Sequence, residues 1–243
     1  MAVLIDADNT SPKRSGALLE EIASHGTATV RRAYADWTND HTTQWKRLLN
    51  RHAIHPIQQF AYSTGKNATD FALVIDAMDL LYAGNLDGFV IVSSDSDFTR
   101  LATRLRESGK VVIGMGERKT PQAFVTACDR FIYLDLLGES AEDADDAEDV
   151  KEAEPQARPP ALRRILTAAI EGTSQDDGWS HLGSVGTHLS KSHPSFDPRD
   201  YGHTKLSNLV KAQSYVEVRM PDASSPGPVL VRLKPAGRSA RTR

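Results

Sequence analysis

Val3-Leu4-Ile5-Asp6-Ala7-Asp8-Asn9-Thr10 is the stretch whose reading decides the fold. Three apolar residues run without alternation into an acid, and the chain then turns polar. Strands that read as short continuous apolar runs belong to sheets covered on both faces, which are characteristically parallel. A second run, Phe89-Val90-Ile91-Val92, ends the same way in Ser93-Ser94-Asp95-Ser96-Asp97-Phe98. Two strands of one design, each stopping at carboxylates, predict an open sheet with acids gathered beyond its carboxyl edge. Ligands of open α/β sheets lie beyond that edge.

Working outward from these stretches, strand and helix signals alternate. Strands are expected at 28–35, 57–62, 111–115 and 131–134. Helices are expected at 18–23, opened by Ser11-Pro12, and at 42–52, 69–83, 96–108 and 121–128. The helix 69–83 is expected to turn one apolar face, Phe71, Val74, Ile75, Met78, Leu81 and Tyr82, to the core. Trp45, at helical spacing with Leu48 and Leu49, reads as core, and Gly109 as a helix C-cap. Such alternation builds βαβ units and a parallel sheet.

The pattern stops at 139–160. That segment carries nine acids and Pro155, Pro159 and Pro160, with little to bury, and reads as a self-repelling linker. Helical periodicity resumes over 162–170, 181–189 and 203–212, followed by strand-like runs at 215–219 and 229–233. Three helices and a hairpin outline a winged helix, a relative of the helix-turn-helix. The expected organisation is a first domain 1–138, a linker 139–160, a winged-helix domain 161–234 and a disordered basic tail 235–243.

The net charge of −3 conceals a segregation. Residues 1–138 hold 15 basic and 16 acidic side chains. Residues 139–154 hold 1 basic and 9 acidic, and residues 155–243 hold 13 basic and 7 acidic. Within the last segment, Lys191, Arg199, His203, Lys205 and Lys211 crowd the second and third helices. Phosphate binding needs such a patch; a solvated positive face on a protein-binding winged helix is the alternative. The single cysteine, Cys128, excludes internal disulfides and Cys-based zinc sites and suits a reducing cytoplasm. No apolar run approaches the roughly 20 residues of a membrane span. The chain enters its first strand directly, so no signal peptide is expected.

Asp6 and Asp95 stand at strand ends, Asp97 just beyond, and Asp70 opens the helix 69–83. Crowded like charges need a proton or a cation between them. An all-oxygen set suits Mg²⁺ or Mn²⁺, ions that commonly handle phosphate esters. Around the four, Asp8 is a further ligand or an acid that orders the loop, and Asn9 supports the turn or a phosphate. Ser94 binds phosphate or caps a helix, and Lys66 contacts a substrate phosphate or is simply solvated. Asp76, two turns beyond Asp70 and rotated away from it, is expected to pair with an arginine. The eight histidines show no metal-ligand spacing.

Val3–Asn9, then Lys66-x-x-x-Asp70 with Asp76, then Ser93–Phe98 resemble the NYN domain, a branch of the PIN-like nucleases. The resemblance spans about residues 1–136. It implies a three-layer α/β/α sandwich and metal-dependent cleavage of RNA, with Asp6, Asp70, Asp95 and Asp97 on the family's acidic positions and Asn9 on its supporting polar one. Leu182-Gly183, Pro194-x-Phe196 and Gly202-x-x-Lys205-Leu206 are similar to the LOTUS, or OST-HTH, domain, which implies RNA, single-stranded or structured, as partner. Two rivals remain. Asp6-Ala7-Asp8-Asn9-Thr10 also fits the D-x-D-x-T signature of haloacid-dehalogenase-type phosphohydrolases, with Asp6 as nucleophile and Asp8 as acid/base. A non-catalytic RNA-binding adaptor is the other.

Overall fold

The computed structural model describes residues 1–60, 68–138, 161–221 and 227–234. Lys66, the expected linker 139–160 and the tail 235–243 lie outside the described residues. The chain divides into two compact units, Met1–Ala157 and Arg158–Arg243.

In the first unit β1 (Ala2–Asp6), α1 (Ser15–His25), β2 (Val30–Ala35), α2 (Thr43–Arg51), β3 (His55–Gln58) and α3 (Ala68–Ala83) follow one another. They continue into β4 (Gly88–Val92), α4 (Thr99–Glu107), β5 (Val111–Gly116), α5 (Gln122–Ala127) and β6 (Arg130–Tyr133). The six strands form one parallel sheet of order β3-β2-β1-β4-β5-β6. The order reverses direction between β1 and β4, which makes the carboxyl ends of those two strands the topological switch point.

The period of two sorts each strand between two cores. Ala2 and Leu4 of β1, Phe89 and Ile91 of β4, and Val112 of β5 pack with α3, α4 and α5. Val3 and Ile5, Val90 and Val92, and Ile113 and Met115 pack with α1 and α2. Every residue of β1 and β4 is buried. This is the three-layer α/β/α sandwich expected for a PIN-like fold. Trp45 is buried in the second core, as expected, and its indole N–H donates to the Thr10 carbonyl at 2.9 Å.

Some boundaries differ from expectation. The strand expected at 57–62 lies earlier, at His55–Gln58, where Arg32 to Ala35 of β2 pair with it. The helix expected from residue 96 begins as a 3₁₀ turn, Ser96–Phe98. Gly109 does end α4: its φ is 75°, and the Lys110 N–H reaches back to the Leu105 carbonyl at 3.2 Å.

The face of α3 also differs. Leu73, Ala77 and Leu81 are buried, whereas Phe71, Ile75 and Tyr82 are among the exposed large apolar side chains. The helix is apolar almost all round, so periodicity alone does not choose its inner face. The polar partners of its acids do: Asp76 takes the Arg32 guanidinium and the Tyr34 hydroxyl, both of β2. With Asp76 turned to the sheet, the stripe on the opposite side faces outward.

The second unit holds α6 (Leu162–Gly172), β7 (Ser180–His181), α7 (Leu182–Ser192), α8 (Leu206–Lys211), β8 (Val216–Arg219) and β9 (Leu230–Leu233). Its antiparallel sheet has the order β7-β9-β8. Ile165, Leu166, Ile170, Val185, Leu189, Val210, Val216 and Val231 are all in its core. The two-residue β7, unforeseen in the sequence, ties the start of α7 to the hairpin. Trp179 just before it is buried, with the Arg219 and Arg232 guanidinium carbons 4.3 and 4.5 Å from its ring centre.

Candidate active site

Asp6 is the last residue of β1 and is fully buried. Alternation puts it on the same face as Ala2 and Leu4, toward α3 and α4. The register pairs Ile5 with Val92, so Ser93 stands next to Asp6 across the switch point. The Ser93 hydroxyl donates to Asp6 Oδ2 at 2.8 Å, and Ser93 Oγ in turn accepts the Asp95 N–H at 3.1 Å. Asn9 closes the other side. Its backbone N–H reaches Asp6 Oδ1 at 3.3 Å, and its side-chain amide reaches both carboxylate oxygens at 3.3 and 3.1 Å. Burial raises the Asp6 pKa, the Ser93 and Asn9 donors pull it back, and the charge of Asp8 raises it further.

Asp95 N-caps the Ser96–Phe98 turn, accepting the Asp97 N–H at 2.8 Å. Capping and membership of the acid cluster therefore coexist in one side chain. Asp70 is in the first turn of α3. Its carboxyl is pushed up to about 6, first by burial and then by the charges of Asp6, Asp95, Asp97 and Asp8. This brings the four acids singled out in the sequence, from three chain segments, into one electrostatic cluster.

The surrounding residues divide. Asp8 accepts the Asp36 N–H at 3.3 Å and the Thr69 hydroxyl at 2.8 Å, so it orders the loop and ties it to the start of α3. Ser94 caps nothing here: its hydroxyl oxygen accepts the Glu117 N–H at 2.8 Å, which joins the ends of β4 and β5. Gly116 makes that approach possible, since a Cβ there would stand 2.6 Å from the Ser93 carbonyl oxygen. Asp76 has the arginine partner expected of it and serves as a tie between α3 and β2. Burial, followed by its bond to Asp76, raises the Tyr34 pKa well above the usual phenol range.

Sequence reasoning missed Ser93, Thr69 and Asp36. Ser93 had a usable signal: it is the first polar residue after an apolar strand, at the parity of Phe89 and Ile91. Thr69 and Asp36 had none, because their contacts join segments far apart in the chain. Asp36 is buried and holds the Thr38 hydroxyl at 2.6 Å and the Gln58 amide at 3.0 Å.

Among the described residues, no three His, Cys, Asp or Glu side chains are grouped closely enough to hold a metal ion by themselves. Mg²⁺ gives up water reluctantly and is often bound through one or two carboxylates with waters completing the shell. Mutually repelling carboxylates at the mouth of a sheet, all oxygen donors, fit an open site of that kind.

The first 135 residues match the NYN domain model. The chain belongs to the NYN domain family. Residues 155–226 of this NYN protein match the OST-HTH/LOTUS domain. A PIN-like nuclease module is thus joined to an RNA-binding module. No curated protein matches the chain. Among solved structures, a protein of unknown function from Vibrio parahaemolyticus is 21% identical over 54% of this chain and 90% of its own, with a TM-score of 0.45. An uncharacterized protein from Nitrosomonas europaea is 34% identical over 37% of this chain and 94% of its own, with a TM-score of 0.28. A protein from Chromobacterium violaceum is 32% identical over 37% and 100%, with a TM-score of 0.26.

In the OST-HTH/LOTUS domain, Lys191 lies in the last turn of α7, Lys205 precedes α8 and Lys211 ends it, all exposed. His203 is partly exposed beside them. Arg199 is engaged differently from the sequence expectation: its guanidinium clasps Asp197 through bonds of 3.0 and 2.7 Å. Lys191 also borders an open groove of about 690 Å³ with His181, His188 and Thr187.

Proposed function

We propose that this NYN protein is a metal-dependent endoribonuclease acting on RNA that its OST-HTH/LOTUS domain recruits. The observation that carries the reading is the carboxylate cluster at the switch point, where Asp70 is pushed up to about 6 by burial and then by its acidic neighbours. Asp6, Asp70, Asp95 and Asp97 would hold Mg²⁺ or Mn²⁺. What such an ion supplies when bound is charge neutralisation at the phosphate and a water acidified toward neutral pH. Asn9 and Ser93 fix the Asp6 carboxylate, so its donor atoms are in place before substrate arrives. Asp95 is fixed by the turn it caps. Asp70, half-buried, is raised by burial and by the charges of Asp6, Asp95, Asp97 and Asp8, so a cation bound among them would favour its ionised form.

The phosphohydrolase reading needs Asp8 to shuttle a proton. Asp8 accepts from the Asp36 N–H and the Thr69 hydroxyl, a setting that favours a structural acid. We assign 1–138 to the nuclease domain and 161–234 to RNA binding, with Lys191, His203, Lys205 and Lys211 on phosphates. Among the described residues no helix is long and apolar enough to cross a membrane. Cys128 is a buried thiol pushed up to about 12, chiefly by burial, and we place the protein in the cytoplasm.

The test is cleavage of single-stranded RNA by the purified full chain, with Mn²⁺, with Mg²⁺ and with chelator. Metal-dependent cleavage that is lost in Asp70→Asn and largely kept in Asp8→Asn is the expected result. Loss with Asp8→Asn alone, or phosphate trapped on Asp6, would establish the phosphohydrolase. RNA binding without cleavage under any metal would establish the adaptor.

A further inference from the structure

The outermost side chains of α3, Phe71, Ile75 and Tyr82, belong neither to the core nor to the acid cluster, while Met78 of the same stripe packs partly against the core. Phe71, Ile75 and Tyr82 are 68%, 61% and 74% exposed, and Met78 between them is partly exposed. Their spacing of four, three and four residues is that of a helix-packing seam, the pattern of left-handed pairs crossing at about 20°. Exposed at these fractions, the three large side chains present on the order of 400 Å². A patch of that size on a monomer is commonly functional, and it is about half of one side of a standard interface.

The order of residues says what fits there. Phe71 and Tyr82 stand symmetrically about the midpoint between Asp76 and Ala77, and so do Ile75 and Met78. A second α3 laid antiparallel on the first would meet Phe71 with Tyr82 and Ile75 with Met78, twice over, as a two-fold axis requires.

We propose that the Phe71–Ile75–Met78–Tyr82 stripe is the surface through which two copies of this chain pair, with α3 antiparallel to its mate. The proposal does not depend on nuclease activity.

Sedimentation equilibrium of the full chain should give twice the chain mass. Ile75→Asp, at an exposed position, should give a folded monomer whose melting temperature, unlike that of the native chain, does not rise with protein concentration. Cysteine cross-linking reads the direction. In the antiparallel pair residue 78 lies about 4.5 Å along the axis from its mate and residue 71 about 16 Å from its own. A short bis-maleimide should therefore join Met78→Cys at least tenfold faster than Phe71→Cys. The native Cys128 is buried and does not compete. A monomer at all concentrations, a dimer that survives Ile75→Asp, or equal cross-linking at both positions would overturn the proposal. So would a monomer whose RNA affinity falls with Ile75→Asp, which would give the stripe to RNA.

Discussion

Asp70 and Ser93 show how single residues set the properties of the cluster. The Asp70 carboxyl is pushed up to about 6 in the fold, from an ordinary value of 3.8 that it regains on unfolding. Between those values the folded protein binds the extra proton, so this residue's stabilising share is complete below about pH 4 and disappears as pH rises through 6. Asp70→Asn should therefore stabilise the metal-free protein at pH 7 and flatten the fall in stability between pH 4 and 6. After allowance for solvent screening of a half-exposed group, the gain is on the order of 1 kcal/mol, or about 2–4 °C in Tm. Calorimetry at pH 4.5 and 7 in chelator checks it, and an equal Tm difference at both pH values would contradict it. Ser93→Ala removes a donor from buried Asp6 and an acceptor from the Asp95 N–H. We expect a loss of about 1–3 kcal/mol by urea denaturation, with cleavage falling because Asp6 is no longer held.

At the scale of elements, the ends of helices carry the detail. α4 ends with Gly109 in the left-handed region, where glycine costs nothing. α2 ends the same way with the wrong residue: Ala53 has φ 50°, and the Ile54 N–H reaches back to the Leu49 carbonyl at 2.8 Å. An L-residue there costs about 1–2 kcal/mol. Ala53→Gly should therefore stabilise the protein by about 0.5–1 kcal/mol, offset in part by the larger freedom of glycine in the unfolded chain. A rise in urea midpoint at constant m value would show it; a fall would mean that the Ala53 methyl contributes packing of its own. Elements were largely legible in the sequence because strand and helix periods differ. The inner face of α3 was not, because a helix apolar on every side has no amphipathic signal. Its orientation came from Asp76 meeting Arg32 and Tyr34 of β2.

For the molecule as a whole, charge assigns a task to each unit. Residues 1–138 are nearly neutral and concentrate acids at the cleft, so they would attract RNA only weakly at a distance. The basic excess lies in the second unit. Replacing both Lys205 and Lys211 by Gln in the full chain should weaken RNA binding across sequences. It should also lower the slope of log affinity against log salt by about 1.4, at roughly 0.7 per single-strand phosphate contact. Cleavage at saturating RNA should be unchanged. Titration at four salt concentrations checks this, and an unaltered slope would return the patch to a protein partner. Arg199→Gln should act differently, through stability, because its guanidinium clasps the buried Asp197 carboxylate.

By itself the sequence determined the fold class, the division into an NYN and an OST-HTH/LOTUS domain, and the four acids. Each is written locally: apolar runs ending in carboxylates, a run of acids and prolines, a change of charge. Only the tertiary structure decided which groups hold those acids. Ser93 meets Asp6 because β1 and β4 are neighbours in a particular register, and Thr69 meets Asp8 because α3 begins beside the β1 loop. Arg199 was singled out from its charge as a phosphate ligand, and only the fold adds that its guanidinium clasps the buried carboxylate of Asp197. Composition reports which groups are present, whereas hydrogen bonds and ion pairs act over a few ångströms, so their partners are settled only when distant segments are brought together.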